Sequence, residues 1–358
     1  VRITDFKFYR FSIPLKSPVR LSKSILEKRE GLIFQIISDI NESGFGEISP
    51  FPRFSKETLN EAQAELSAIC SNQKNTPLGE LAHKAAKLLP SVRFGIECAI
   101  VELKAKSKKI GVANFLSESP RESISVNGLL TGTREEILCK AELYREIGYK
   151  TVKLKVGSGS LKNDIELTKQ VREAIGEKMF LRLDSNRSWN IDDFQKFSDK
   201  AQHCNIEYIE EPLSDSNQLL NALTKGAMPL PLAVALDETT REIPPEKLLD
   251  FKKLKAVVLK PTLLGLSRTF RFTEIAQKVG ITPVIGSSFE SGLGLSFLAK
   301  IAAAVNTEDI SAGLDTYSWF ADDIIKGSLP VVNGRIDINK LPGSQTVLES
   351  RLLEEIRL

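Results

Sequence analysis

Residues 151–184 read TVKLKVGSGSLKNDIELTKQVREAIGEKMFLRLD. Two β-prone runs, 151–156 and 179–184, enclose a helical stretch at 161–175. Largely continuous apolar runs of this length are what parallel strands covered on both faces require. The unit repeats outward in both directions. Strands are expected at 123–130, 151–156, 179–184, 206–210, 232–237, 256–260, 282–287 and 311–315. Helices are expected at 133–147, 161–175, 192–203, 215–224, 244–253, 267–279 and 292–305. Gly148 and Gly280 stand where helix-ending glycines belong. Eight strands with seven intervening helices predict the α/β class and a (β/α)7β TIM-like barrel, with an open doubly wound sheet as the alternative.

Before residue 121 the pattern differs. Segments 3–13 and 32–38 are rich in β-formers, 41–44 is a turn signal, and 46–48 continues a sheet. The polar stretch 17–29 reads as a mobile loop. Ser55 is the expected N-cap of a helix at 56–70, with Glu57 in its first turn. A helix at 91–107 carries an apolar stripe through Val92, Ile96, Ala99, Ile100 and Leu103. Beyond about 320 the strand–helix alternation stops. The expected division is an α+β domain over 1–120, a barrel over 121–319, and a tail, 320–358, packed back on the first domain.

The 358 residues carry 49 Lys and Arg against 46 Asp and Glu, a formal charge of +3. That is too small to attract a polyanion, and no basic patch is interleaved with aromatics, so a nucleic-acid partner is not expected. The four cysteines, Cys70, Cys98, Cys139 and Cys204, form no C-x-x-C pair and read as free thiols of a reducing cytoplasm. No apolar run has transmembrane length, and the opening residues read as a strand rather than a signal peptide. A monomer or small homo-oligomer is expected.

Barrel enzymes carry their reacting groups at the carboxyl ends of the strands, on one rim. The second barrel strand ends in Lys153-Leu154-Lys155, the third in Arg182-Leu183-Asp184-Ser185-Asn186, the fourth in Ile209-Glu210-Glu211-Pro212. The fifth ends in Leu236-Asp237-Glu238 and the sixth in Leu259-Lys260-Pro261. Lys155 to Asp184 is 29 residues, Asp184 to Glu210 is 26, Glu210 to Asp237 is 27 and Asp237 to Lys260 is 23. Each interval is one strand–helix unit. Any one of these charges alone reads equally well as a surface residue or a helix cap; five in register do not. Two lysines two apart in a strand share a face. Three carboxylates on adjacent strand ends repel unless a cation joins them. Oxygen ligands of this kind suit one Mg²⁺, and the only histidines, His83 and His203, stand at no strand end, which argues against zinc. Glu211 and Glu238, each next to an expected ligand, should point away. No P-loop, G-x-S-x-G elbow, H-E-x-x-H or complete dinucleotide fingerprint is present.

This pattern resembles the enolase superfamily and its muconate-lactonising subgroup: Lys-x-Lys on the second strand, acidic ligands after strands three to five, and a lysine on the sixth. Longer segments are similar to the o-succinylbenzoate synthase family within it. They include 46–50 (GEISP), 181–187 (LRLDSNR), 209–212 (IEEP), 259–262 (LKPT), 287–291 (SSFES) and 313–316 (GLDT). Gly286 before the serines and Phe289 after them depart from the family pattern. The resemblance implies an α+β cap over the barrel and a loop 17–29 closing on the site, with Arg20 or a neighbour touching substrate. It implies metal ligands Asp184, Glu210 and Asp237 for one Mg²⁺, a base Lys155, and a charged Lys260 that stabilises the anion. Lys153 beside the metal would favour a neutral Lys155. Arg182, Asn186, Ser287, Ser288 and Gly313 are the candidate contacts for a small carboxylate substrate or its supporting groups. The implied reaction is dehydration of 2-succinyl-6-hydroxy-2,4-cyclohexadiene-1-carboxylate through an enediolate. The rivals are an N-succinylamino-acid racemase or related epimerase, and a silent barrel used for binding. Asp315 followed by Thr316 lacks the Asp-x-Asp of dipeptide epimerases.

Overall fold

A computed structural model describes every residue except 22–23, 72, 226–229, 307, 327–328, 330, 342–349 and 358. The N-terminal segments build an antiparallel sheet from β1 (Ile3–Leu21), β2 (Ser24–Ser38) and β3 (Ser43–Ile48). Its apolar face, with Ile3, Phe8, Leu32, Phe34 and Ile36, packs on α1 (Leu59–Cys70), α2 (Leu78–Ala85) and α3 (Pro90–Ser107). Contact between β3 and α3 is at backbone distance: a Cβ on Gly46 would stand 1.8 Å from the Gly95 carbonyl oxygen, so only glycine fits.

Two expectations for this region change. Residues 17–21 and 24–29 are not a loop but the far end of a β1–β2 ribbon, with Val19 opposite Leu26 and Arg20 opposite Ile25. Residues 22–23 and the Arg20 side chain lie outside the described set. The first helix is capped by Thr58, not Ser55, in a reciprocal capping box with Glu61. Glu57 precedes the helix and accepts from the Ser91 amide at 2.9 Å.

After α4 (Val112–Leu116), the expected strand 123–130 is split. β4 (Ser123–Ser125) pairs outward, and β5 (Gly128–Leu130) enters the barrel. There follow α5 (Arg134–Glu146), β6 (Thr151–Lys155), α6 (Leu161–Ile175), β7 (Phe180–Asp184), α7 (Ile191–Ala201) and β8 (Ile206–Glu210). Then come α8 (Ser216–Lys225), β9 (Val234–Leu236), β10 (Leu254–Leu259), α9 (Pro261–Leu264), α10 (Leu266–Lys278), β11 (Thr282–Ile285) and α11 (Gly292–Val305). Pro244 and Pro245 replace the helix expected at 244–253 by a 3₁₀ turn, Pro245–Asp250. Gly148 and Gly280 take the left-handed φ values (86° and 73°) of helix-ending positions.

Strands β5 to β11 form one parallel sheet in sequence order. The eighth strand is shorter than expected. Residues 312–313 close the circle by bridges alone. Ala312 exchanges backbone hydrogen bonds with Ser125 and Asn127, and Gly313 with Ile285 and Ser287. The fold is an (β/α)7β barrel with an antiparallel capping sheet. Of the tail, β12 (Val331–Val332) and β13 (Arg335–Asp337) join β4, and β14 (Leu353–Ile356) joins β1.

The N-terminus of α11 fastens barrel, cap and tail together. Glu47 of β3 accepts from Ser291 N, Ser291 Oγ and Gly294 N. Asp323 accepts from Gly292 N at 3.1 Å and Ile324 N at 2.7 Å. Carboxylates suit the positive end of a helix. Burial nevertheless lifts the Asp323 carboxyl to about 6, from an ordinary 3.8. A carboxyl raised on folding contributes stability that is fully present below about 3.8 and lost as pH rises through 6. Asp323→Asn keeps an oxygen acceptor without the charge. Its melting temperature should therefore fall less than the wild type's between pH 4.5 and 7; parallel profiles would contradict this.

Candidate active site

Parallel register lines up the ends of three strands. Lys155 stands opposite Asp184, Asp184 opposite Glu210, and Glu210 opposite Ala235, two residues before Asp237. Strand alternation turns 153, 155, 182, 184, 208 and 210 to the same, inner face. All three expected ligand carboxylates are buried.

Lysines meet them directly. Lys153 Nζ lies 2.6 Å from Glu210 Oε2 and 2.9 Å from Asp184 Oδ2. Lys155 Nζ lies 2.7 Å from Asp184 Oδ2 and 2.6 Å from Asn186 Oδ1. Lys260 Nζ lies 2.6 Å from Asp237 Oδ2. The Lys155 side chain is 40% exposed, against 13% for Lys153 and 22% for Lys260, so it is the most open of the three.

Glu238 departs from expectation. It does not point away: its Oε1 accepts from Asn186 Nδ2 at 3.2 Å, and its Oε2 is buried without a hydrogen-bond partner. The cluster thus holds four carboxyls against three lysines. Burial penalises every charge in it, and the balance decides where protons stay. For Lys153, burial is outweighed by Asp184, Glu210 and Asp237, which lift it well above the ordinary lysine range. Asp237 and Glu238 likewise outweigh burial and raise Lys260. Against burial, Lys153 and Lys155 hold Asp184 below the usual carboxylate range. Glu210 is pushed up to about 7 by burial, with Asp184 and Asp237 adding to it and Lys153 opposing. Glu238 also reaches about 7, through burial and then Asp237. Three lysines cannot neutralise four carboxylates, so the surplus acid resists ionising.

Glu211, expected to point away, makes none of the described contacts to the rim lysines. Its carboxylate accepts from Asp237 N, Thr239 N, Thr239 Oγ1 and Arg187 Nε, at 2.8–3.0 Å. These bonds hold Glu211 at φ 42°, uncommon for a glutamate. Arg182 lies one layer below the rim, fully buried. It donates to Glu207 and to the Ser311 carbonyl and stacks over the Tyr208 ring at 4.9 Å. All these partners belong to the barrel, so Arg182 supports the site from beneath. Ser287 Oγ shares a hydrogen bond with Thr316 Oγ1, and Ser288 Oγ is buried without a partner. Gly313 contributes backbone to the closure. Two cavities, about 540 Å³ beside Arg121 and Asn306 and about 210 Å³ beside Phe54 and Arg241, contain none of these rim residues.

Among the described residues no three Asp, Glu, His or Cys side chains converge as a ready metal cage. The reason is visible at the rim, where each of Asp184, Glu210 and Asp237 faces an ammonium group. The donor chemistry still fits a hard divalent cation. The acids are oxygen ligands on neighbouring strands, the cluster carries surplus negative charge, and Lys153 already shows a cation shared between two of them.

Residues 3–103 match the family described as MenC, N-terminal domain, and residues 136–348 match Enolase C-terminal domain-like. The o-succinylbenzoate synthase of Haemophilus influenzae is 34% identical over 343 residues, covering 92% of this chain and 96% of its own. That of Pasteurella multocida is 33% identical over 344 residues, with the same shares. The chain belongs to the o-succinylbenzoate synthase family of the enolase superfamily. It is an enzyme of the o-succinylbenzoate synthase type. The superfamily fold extends further. A dipeptide epimerase of Methylococcus capsulatus, solved with Mg and a dipeptide, superposes with a TM-score of 0.84 at 22% identity, over 97% of this chain and all of that one. Among the described residues no helix is long and apolar enough to cross a membrane.

Proposed function

We propose that this o-succinylbenzoate synthase-like enzyme removes water from 2-succinyl-6-hydroxy-2,4-cyclohexadiene-1-carboxylate to give o-succinylbenzoate. The likeness to synthases over 92% of the chain carries this reading. Asp184, Glu210 and Asp237 would hold one Mg²⁺, which when bound offsets negative charge developing on the substrate carboxylate.

The chain's own groups do the rest. Lys155, the most open lysine, takes the proton from the ring carbon that bears the carboxylate. The electron pair of that C–H bond first spreads onto the carboxylate as an enediolate anion, then returns to close the last ring double bond as the neighbouring C–O bond breaks. Lys155 gives its proton to the departing oxygen, which leaves as water. Lys260 stays protonated under the pull of Asp237 and Glu238 and stabilises the anion. Lys153 fixes Asp184 and Glu210. Ser287, Ser288 and Asn186 orient the substrate, with Arg182 supporting the barrel below.

The test is turnover of the cyclohexadiene, read by the absorbance of the aromatic product, with Mg²⁺ and with excess chelator. Metal-dependent aromatisation is expected. Exchange of the α-proton of N-succinylamino acids in D₂O, without aromatisation, would overturn the reading in favour of a racemase.

A further inference from the structure

We propose that Glu238 is a positioning residue for Lys155, acting through Asn186; this rests on the reading of Lys155 as the base. Three contacts make a chain. Lys155 Nζ donates to Asn186 Oδ1 at 2.6 Å, Asn186 Nδ2 donates to Glu238 Oε1 at 3.2 Å, and Asn186 N donates to Asp184 Oδ1 at 3.1 Å. Asn186 has φ 45°, a left-handed conformation that asparagine tolerates.

A side-chain amide can present either its oxygen or its NH₂, and its partners decide which. Glu238 Oε1 offers Asn186 an acceptor. That fixes the NH₂ toward Glu238 and the oxygen toward Lys155. The consequence falls on the lone pair. A neutral lysine amine has two N–H bonds and one lone pair. With its two N–H bonds directed to Asp184 Oδ2 and Asn186 Oδ1, the lone pair takes the remaining tetrahedral position. The Lys155 side chain is 40% exposed, which leaves that position open to substrate.

Glu238→Gln is nearly isosteric but can turn an NH₂ toward Asn186. Asn186 then flips, its NH₂ donates to the Lys155 lone pair, and the base is blocked. The expected result is a kcat lower by roughly 10- to 100-fold, the scale of a misoriented reacting group, with KM nearly unchanged. Four enzymes are compared: wild type, Glu238→Gln, Asn186→Ala and the double variant. If Glu238 acts through Asn186, the double variant is no slower than Asn186→Ala alone. Multiplied effects would overturn the proposal, as would a wild-type kcat in Glu238→Gln. Calorimetric Mg²⁺ titration supplies an independent readout. A kcat loss that tracks lost Mg²⁺ affinity would make Glu238 a ligand instead. Thermal melting checks folding. If Glu238→Gln is unstable, the pair Asn186→Asp with Glu238→Gln serves, since it restores an acceptor toward Lys155 and should recover kcat. A failure to recover it counts against the chain of contacts. Reading the cycle also by α-proton exchange in D₂O separates the two ideas. A wild type showing neither turnover nor exchange would sink the base reading, and this proposal with it.

Discussion

Lys155→Ala is expected to lower turnover by roughly 10²- to 10⁴-fold or more, the contribution of a positioned acid–base group, while Mg²⁺ binding persists. The asymmetry follows from the contacts. Among the described residues Lys155 makes hydrogen bonds to Asp184 and Asn186, and its side chain is the most exposed of the three lysines. Its removal leaves Lys153 on Asp184 and Glu210, and Lys260 on Asp237. Asp184, Glu210 and Asp237 each keep a lysine, so the melting temperature should change little. Calorimetry with Mg²⁺ and a steady-state assay check the two halves. Substantial turnover in the variant would remove Lys155 as the base.

Asp184→Ala is expected to be the more damaging substitution. Asp184 is buried and accepts from both Lys153 and Lys155 at 2.7–2.9 Å. Without it, Lys153 keeps only Glu210 and Lys155 loses its anion. Breaking a buried pair by deleting one partner costs about 3–5 kcal/mol, because the remaining charge is left uncompensated. The variant should therefore melt at lower temperature in chelator. It should also bind Mg²⁺ more weakly by more than the roughly 10- to 100-fold typical of losing an outer partner, and it should lose turnover. Activity and chelator sensitivity both unchanged would exclude Asp184 from the metal site. Asp184→Asn separates charge from shape: it keeps the side-chain volume and should fail in the same way.

The rim lysines and acids were legible because two independent regularities agree on them. The strand period of two puts Lys153 with Lys155 and Arg182 with Asp184, and the strand–helix repeat brings successive ends into register. Glu238 escaped because the first regularity had already ended. β9 stops at Leu236, and Asp237 has φ −125° and ψ −79°, outside strand geometry. The residue after it is therefore not sent to the opposite face. The ribbon at 17–21 and 24–29 escaped for another reason. Beyond Pro14 its pairing shifts register, and many of its side chains are exposed, so no apolar alternation marks it. The split of 123–130 depended on β13, a partner more than 200 residues away. The capping box at Thr58 and Glu61, by contrast, is written in the sequence as T-x-x-E, three residues beyond the Ser55 expected to cap the helix.

The narrow closure at Ala312 and Gly313 bears on how such an enzyme can diversify. Lys155, Asp184 and Glu210 stand on or beside strands laddered to neighbours on both sides, so their spacing is stiff. Ser287, Ser288 and Gly313 stand instead at a seam, where the described bridging residues 312 and 313 make four backbone hydrogen bonds to their neighbours. A change at the seam can reshape what is held there without passing its displacement across the ladder to Lys155, Asp184 and Glu210. On the proposed roles, substrate choice and proton chemistry would be mechanically uncoupled, and a lineage could trade the first while inheriting the second.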